Sequence, residues 1–194
     1  MVFSDEQLIE RYLAGETEAI NELVRRWERR VFNFALRFCG QREEAQDISQ
    51  DAFTAVLRRL PELRDRKSFA SWLYKIVLNQ CRMRHRSTAG RQMIPLDSGE
   101  SEGALEVEKR LAASRGVENP ESATLKQDLV LNLRQAIEAL SEEQRTVILL
   151  KEYEGLKFHE IAAILECPLS TVKSRLYLGL HAMKLFLEQR GICS

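Results

Sequence analysis

Apolar residues recur at three- and four-residue spacing along nearly the whole chain, and no alternating run demands a strand. Such a pattern is buried only by amphipathic helices, so the chain is confined to an all-α architecture. The pattern fails once, from Ser87 to Thr124, in "STAGRQMIPLDSGESEGALEVEKRLAASRGVENPESAT", which is rich in Ser, Gly and acid and holds two prolines. That composition reads as a flexible linker, with a short helix around Ala104 to Ala113 as the alternative for its centre. The expectation is therefore two small helical bundles, residues 1–86 and 126–194, joined by an acidic linker over residues 87–125.

Four helices are expected in the first bundle. "SDEQLIERYLAG" opens with a capping box, Ser4 with Gln7, and stops at Gly15. The next helix sets Ile20, Leu23, Val24, Trp27, Val31, Phe34, Ala35 and Phe38 inward and stops at Gly40. The third sets Ala45, Ile48, Ala52, Phe53, Val56, Leu57 and Leu60 inward and is closed by Pro61. After a polar loop, Ser68 is the expected N-cap of "FASWLYKIVLNQCRMRHR". In the second bundle, "LKQDLVLNLRQAIEAL" turns Leu129, Leu133, Ala136, Ile137 and Leu140 inward. Ser141 with Gln144 then caps "EEQRTVILLKEYEG", and two short helices follow.

Those two, within "LKFHEIAAILECPLSTVKSRLYLGL", have the form of a helix-turn-helix. Phe158, Ile161, Ala162 and Leu165 share a face of the first. In the second, Ser170 is the expected N-cap, and Val172, Leu176, Leu180 and Met183 run into the core. Thr171, Lys173, Ser174, Arg175, Tyr177 and Leu178 are left outward, where short polar and cationic side chains suit base edges and phosphates. The bland reading is an ordinary helical hairpin with a solvated face. As a reader the helix is lightly charged: between Leu169 and Lys184 its cations are Lys173, Arg175 and Lys184.

Charge supplies the second signal. The chain is neutral overall, with 29 basic and 29 acidic residues, yet residues 58–91 hold ten basic against two acidic, and residues 92–125 three against seven. One short stretch is thus strongly positive in a neutral protein, as a polyanion partner requires. Within it, Phe69, Trp72 and Tyr74 are interleaved with Lys75, Arg82, Arg84 and Arg86. Aromatic faces stack on unpaired bases while cations track the backbone. Trp72 also fits the apolar stripe with Leu73, Ile76, Val77 and Cys81. Asn79, Arg82 and Arg86, at i, i+3 and i+7, form a polar stripe that core packing does not explain.

With these modules in this order, the chain resembles the bacterial extracytoplasmic-function (ECF) sigma factors. The resemblance rests on "EEAQDISQDAFTAV", "FASWLYKIVLNQ" and "LSEEQRTVILLKEYEGLKFHEIAAILECPLSTVKSRL", and covers nearly the whole chain. It implies that Asp47, Gln50 and Asp51 dock on the clamp helices of the largest subunit of core RNA polymerase. The same three sit at i, i+3 and i+4, on one face of their helix. It implies that the loop Leu63, Arg64, Asp65, Arg66, Lys67, Ser68 and Phe69, together with Asn79, Arg82 and Arg86, melts promoter DNA and captures its bases. It implies that Ser170, Thr171, Lys173, Ser174, Arg175 and Tyr177 read a duplex element farther upstream. An anti-sigma factor is a further partner that the family suggests. Two departures stand out: Glu166 occupies a turn position where relatives often have Gly, and Leu178 and Leu180 stand where they often have Arg.

Other classes have less support. The histidines, His85, His159 and His181, fall on separate helices, and there is no Gly-rich phosphate loop or nucleophile elbow. Cys81 and His85 at i, i+4 would give a metal only two ligands. No catalytic residue, metal or other cofactor is expected. The scattered thiols of Cys39, Cys81, Cys167 and Cys193, the polar N-terminus and the short, charge-broken apolar runs suit a cytoplasmic protein with no membrane insertion. A stand-alone helix-turn-helix regulator is the rival function. It accounts for the second bundle but not for the basic aromatic helix.

Overall fold

The computed structural model describes residues 3–89 and 120–192, with side chains described for 3–86 and 128–192. Among them every regular element is helical, and the eight α-helices fall into two units. Of the stretch expected to be a linker, 87–125, both ends are helical, at 87–89 and 120–125, and the rest, including the alternative helix from Ala104 to Ala113, lies outside the described residues.

The N-terminal unit carries α1 (Asp5–Leu13), α2 (Thr17–Cys39), α3 (Arg42–Arg59) and α4 (Phe69–Ala89). The Ser4 capping box forms as expected: Gln7 N–H donates to Ser4 Oγ at 3.3 Å, and Ser4 N–H donates to Gln7 Oε1 at 2.9 Å. Asp5 then holds α1 onto α2 by accepting from Arg26 Nη1 at 2.6 Å and Trp27 Nε1 at 3.0 Å. Pro61 does close α3, through a 3₁₀ turn over Leu60–Glu62. The core gathers around α4, where Phe69, Leu73, Tyr74, Ile76, Val77, Leu78 and Cys81 are buried. Trp27 meets Phe69 and Tyr74 edge-on, at centroid distances of 5.7 and 6.1 Å, and Phe34 packs on Tyr74 at 5.3 Å. Three of the expected inward residues sit at the margin: Val24 and Phe53 are half-buried and Leu57 is exposed.

The C-terminal unit carries α5 (Pro120–Glu138), α6 (Glu142–Ile148), α7 (Phe158–Leu165) and α8 (Leu169–Glu188). Helix α5 begins five residues before its periodic run, with Pro120 at its first position, where a residue without an N–H costs nothing. Ser141 caps α6 by accepting from Gln144 N–H, and the helix continues into a widened π turn over Leu149–Tyr153. Arg145 of α6 closes the end of α5, donating to the carbonyls of Ile137 (3.1 Å), Glu138 (2.6 Å) and Leu140 (3.2 Å). Helices α5, α6 and α7 all pack on α8.

The inward stripes of this unit differ in detail from those the spacing suggested. Leu129 is exposed and Leu133 half-buried, so α5 contributes Ala136 and Ile137 to the core, joined by Leu140 just past its end. In α7 the buried residues are Ile161 and Ile164, with Phe158, Ala162 and Leu165 at the margin. In α8, Leu180 is 40% exposed and Met183 half-buried, and the buried line runs Val172, Leu176, Gly179, Leu187. Gly179 is the cause. A Cβ there would lie 2.8 Å from Ile148 Cδ1 and 3.2 Å from Gln144 Cβ, so α6 crosses α8 over the bare glycine and turns Leu180 outward.

Candidate nucleic-acid interface

The polar loop before α4 is built by its own side chains. Asp65 accepts from Lys67 N–H at 3.1 Å and from the Ser68 hydroxyl, which draws residues 66–68 into a single 3₁₀ turn. The Ser68 hydroxyl first, and then the Lys67 N–H, hold the Asp65 carboxyl below its usual range. Ser68 is therefore a donor to Asp65 at the end of this turn, and its carbonyl accepts from Ser71 Oγ at 2.9 Å. Leu63 and Phe69, expected to contact DNA, are buried at 7% and 2% exposure and anchor the two ends of the loop in the core. Apolar side chains at loop ends gain more from burial than from solvent. What faces solvent is Arg64, Asp65 and Lys67. Arg66 is half-buried, donates to the Arg64 carbonyl at 3.3 Å, and keeps its Nε buried without a partner.

Helix α4 separates core from surface. Phe69 and Tyr74, two of its three aromatics, are core residues and present no face to a base. Trp72 stays half-buried. Asn79 and Arg86 are exposed and Arg82 half-buried, as the polar stripe requires. At about 100° per residue, Trp72 and Lys75 extend this stripe by one further turn each toward the loop. The sequence places both in the basic aromatic stretch but not in the polar stripe, although Trp72, Lys75, Asn79, Arg82 and Arg86 at i, i+3, i+7, i+10 and i+14 form one helical line. Cys81, one turn before His85, is buried while His85 is exposed.

Asp47, Gln50 and Asp51 are all exposed on α3, away from its buried line of Ala45, Ile48, Ala52 and Val56. The two carboxylates are joined to α4: Arg84 Nη2 lies 2.9 Å from Asp47 Oδ2 and 3.7 Å from Asp51 Oδ2. Arg84 projects roughly 170° from the middle of the polar stripe of α4. Through Arg84, the acidic face of α3 is thus joined to the side of α4 away from its basic stripe.

In the helix-turn-helix, Glu166 ends α7 in the left-handed conformation, φ 53°, the sole positive φ of a non-glycine among the described residues. Helix α8 starts at Leu169 with Pro168 as its N-cap residue. Ser170, expected as the cap, lies in the first turn with its side chain exposed. Ser170, Ser174 and Leu178 look directly outward, flanked by Lys173 and Tyr177 on one side and Thr171 and Arg175 on the other. The cations are engaged within the unit. Arg175 pairs with Glu143 of α6 at 2.7 Å, Lys184 with Glu188 at 3.4 Å, and Lys173 Nζ lies 5.8 Å from the Phe158 ring centroid.

The pattern of Sigma-70 region 2 matches residues 23–91, and that of Sigma-70 region 4 matches residues 131–183. The chain is 33% identical to the RNA polymerase sigma-H factor of Pseudomonas aeruginosa over 184 residues, 95% of this chain and 94% of that one. It is 32% identical to the ECF RNA polymerase sigma-E factor of Escherichia coli over 186 residues, 93% of this chain and 92% of the other. The chain belongs to the ECF sigma factors. As a sigma factor it is a transcription-initiation subunit that directs RNA polymerase to promoters. Solved structures share the fold. One is of CnrH in complex with the cytosolic domain of CnrY (TM-score 0.67, 22% identity, covering 95% of this chain and 97% of that one). Another is of the sigma factor RpoE in complex with the anti-sigma factor NepR from Bartonella quintana (0.64, 18%, covering 89% and 98%). Region 2 of this sigma factor thus contains the loop, the basic stripe and the acidic face, and region 4 contains the helix-turn-helix. Among the described residues no helix is long and apolar enough to cross a membrane.

Proposed function

We propose that this sigma factor divides its work by face. The Asp47, Gln50 and Asp51 face of α3 docks on a basic surface of core polymerase. The line Trp72, Lys75, Asn79, Arg82 and Arg86, with Arg64 and Lys67 of the loop, receives the melted strand. The outer side of α8, through Ser170, Thr171, Lys173, Ser174, Arg175 and Tyr177, reads duplex DNA upstream. The observation that carries this reading is that the α3 carboxylates are joined, through Arg84, to the side of α4 away from the basic line, which leaves separate surfaces of one small unit for polymerase and for DNA. Charge complementarity supports each contact separately.

The role is non-catalytic: the side chains bind, orient and separate strands, and the polymerase performs the chemistry. The place of action is the cytoplasm. An anti-sigma factor is a further partner, a reading supported by the similar structure solved in complex with the anti-sigma factor NepR. A stand-alone regulator would need the helix-turn-helix alone and would leave the α3 face and the α4 line without a purpose.

Transcription in vitro with core polymerase tests the division. Asp47→Arg with Asp51→Arg is expected to abolish co-purification with core polymerase while leaving the helical circular dichroism unchanged, since both residues are exposed. Asn79→Ala with Arg82→Ala is expected to keep co-purification and to lose opening of a duplex promoter, measured by permanganate footprinting. A premelted bubble should restore much of the lost signal. Equal defects on duplex and bubble templates would remove the strand-capture role.

A further inference from the structure

The docking carboxylates already have a cation of their own. Arg84 reaches from α4 to bridge Asp47 and Asp51, at 2.9 and 3.7 Å, and all three side chains keep substantial exposure, 35%, 59% and 60%. A polymerase cation arriving at this face meets carboxylates whose charge is already partly neutralised. We propose that Arg84 is an internal competitor for the docking cation, which tempers the affinity of this chain for core polymerase. The inference rests on the docking role proposed for Asp47 and Asp51, and extends it to a residue outside the α3 motif.

Exposure sets the size of the effect. An ion pair this open to water is weak, so an incoming guanidinium or ammonium group displaces it at small cost. A buried pair would instead lock the face shut. The position of Arg84 also separates its effect from DNA binding, because it projects away from the basic line of α4 and is not one of the cations proposed to follow the strand. Removing its charge therefore makes the α3 face more acidic and leaves the strand-capturing line intact.

The test compares the full chain with Arg84→Gln, Arg84→Ala and Arg84→Lys, measuring Kd for core polymerase in the absence of DNA. Thermal melting of each variant checks that the fold is kept. Loss of the charge is expected to tighten binding by about two- to fivefold, the range an exposed ion pair supports, with the gain shrinking as salt rises. Arg84→Lys should bind like the parent. In a chain that also carries Asp47→Asn and Asp51→Asn, Arg84→Gln should have no effect. A purely architectural arginine would give weaker binding and a lower Tm in both neutral variants, and unchanged or weaker binding in a well-folded variant overturns the competition. If Asp47→Asn with Asp51→Asn leaves the parent Kd unaltered, the docking face itself is wrongly assigned. If that pair weakens binding and the Arg84 variants fail to tighten it, the competition alone is at fault.

Discussion

At the scale of single residues, the loop before α4 depends on one carboxylate. Asp65 accepts from the Ser68 hydroxyl and from Lys67 N–H, and both favour its ionised form, so its carboxyl titrates below the ordinary range. A group whose folded pKa is depressed stabilises the fold above its unfolded pKa, and that contribution is lost as pH falls through the folded pKa. The loop should therefore loosen on the acid side of the normal aspartate range, with no change near neutrality. Ser68→Ala removes the larger of the two causes, and the Asp65 carboxyl should move back up toward its ordinary value. Carbon-detected NMR titration of the carboxyl measures this directly. Leu178 gives a second prediction: it is 57% exposed on the outer side of α8, where a cation would reach phosphate. Leu178→Arg in the full chain should steepen the salt dependence of duplex binding by about 0.9 in log–log slope. An unchanged slope would mean that this side of α8 does not face the backbone.

Between elements, the contacts that decide geometry are few. Arg145 closes the C-terminus of α5 on three carbonyls, of which that of Ile137 also accepts from Leu140 N–H at 3.2 Å. Burial pushes its guanidinium pKa down, partly offset by Glu138 and Glu142, yet it remains a cation at any ordinary pH. Arg145→Ala removes all three bonds at the joint of α5 and α6 and leaves the Ile137 carbonyl with Leu140 N–H. It should lower stability by about 1.5–3 kcal/mol, the range for hydrogen bonds to a charged group, as read from chemical denaturation of the full chain. Arg145→Lys should recover only part of this, since one ammonium cannot match three divergent bonds. The helices themselves were legible from spacing because capping boxes, glycine stops and the Pro61 break act locally. Crossings were not. Gly179 reads as a mild defect in a helix until α6 is seen to lie across it, and the inward line of α8 shifts as a result.

At the scale of the whole molecule, the light charge of α8 is reduced further, since Arg175 and Lys184 already hold acids of their own unit. Three cations neutralising one phosphate each would give a log–log salt slope of only about −2.7. The free chain should therefore bind promoter duplex weakly, and tight promoter binding should appear only when core polymerase is added. Once one unit is held on the polymerase, the second contact becomes effectively intramolecular, and weak contacts suffice. Fluorescence anisotropy with and without core polymerase separates the cases. Nanomolar, sequence-specific binding by the free chain at physiological salt would favour a stand-alone regulator.

Helical class, the separation into two bundles and the identity of the family were all determined by local pattern: periodicity, caps, a charge-segregated stretch and three long motifs. These survive without knowledge of any long-range contact, because each depends on residues within a few turns of one another. The direction of individual side chains was decided by tertiary packing. Leu63, Phe69 and Tyr74 lie in a basic, aromatic stretch that suits single-stranded DNA, yet the shared core of α2 and α4 takes them in, because burying a large apolar side chain stabilises more than exposing it. Asp47 and Arg84 are 37 positions apart, and no spacing rule pairs them. Only the packing of α3 beside α4 brings carboxylate and guanidinium to 2.9 Å, since contact between helices depends on how they cross and not on the pattern within either one.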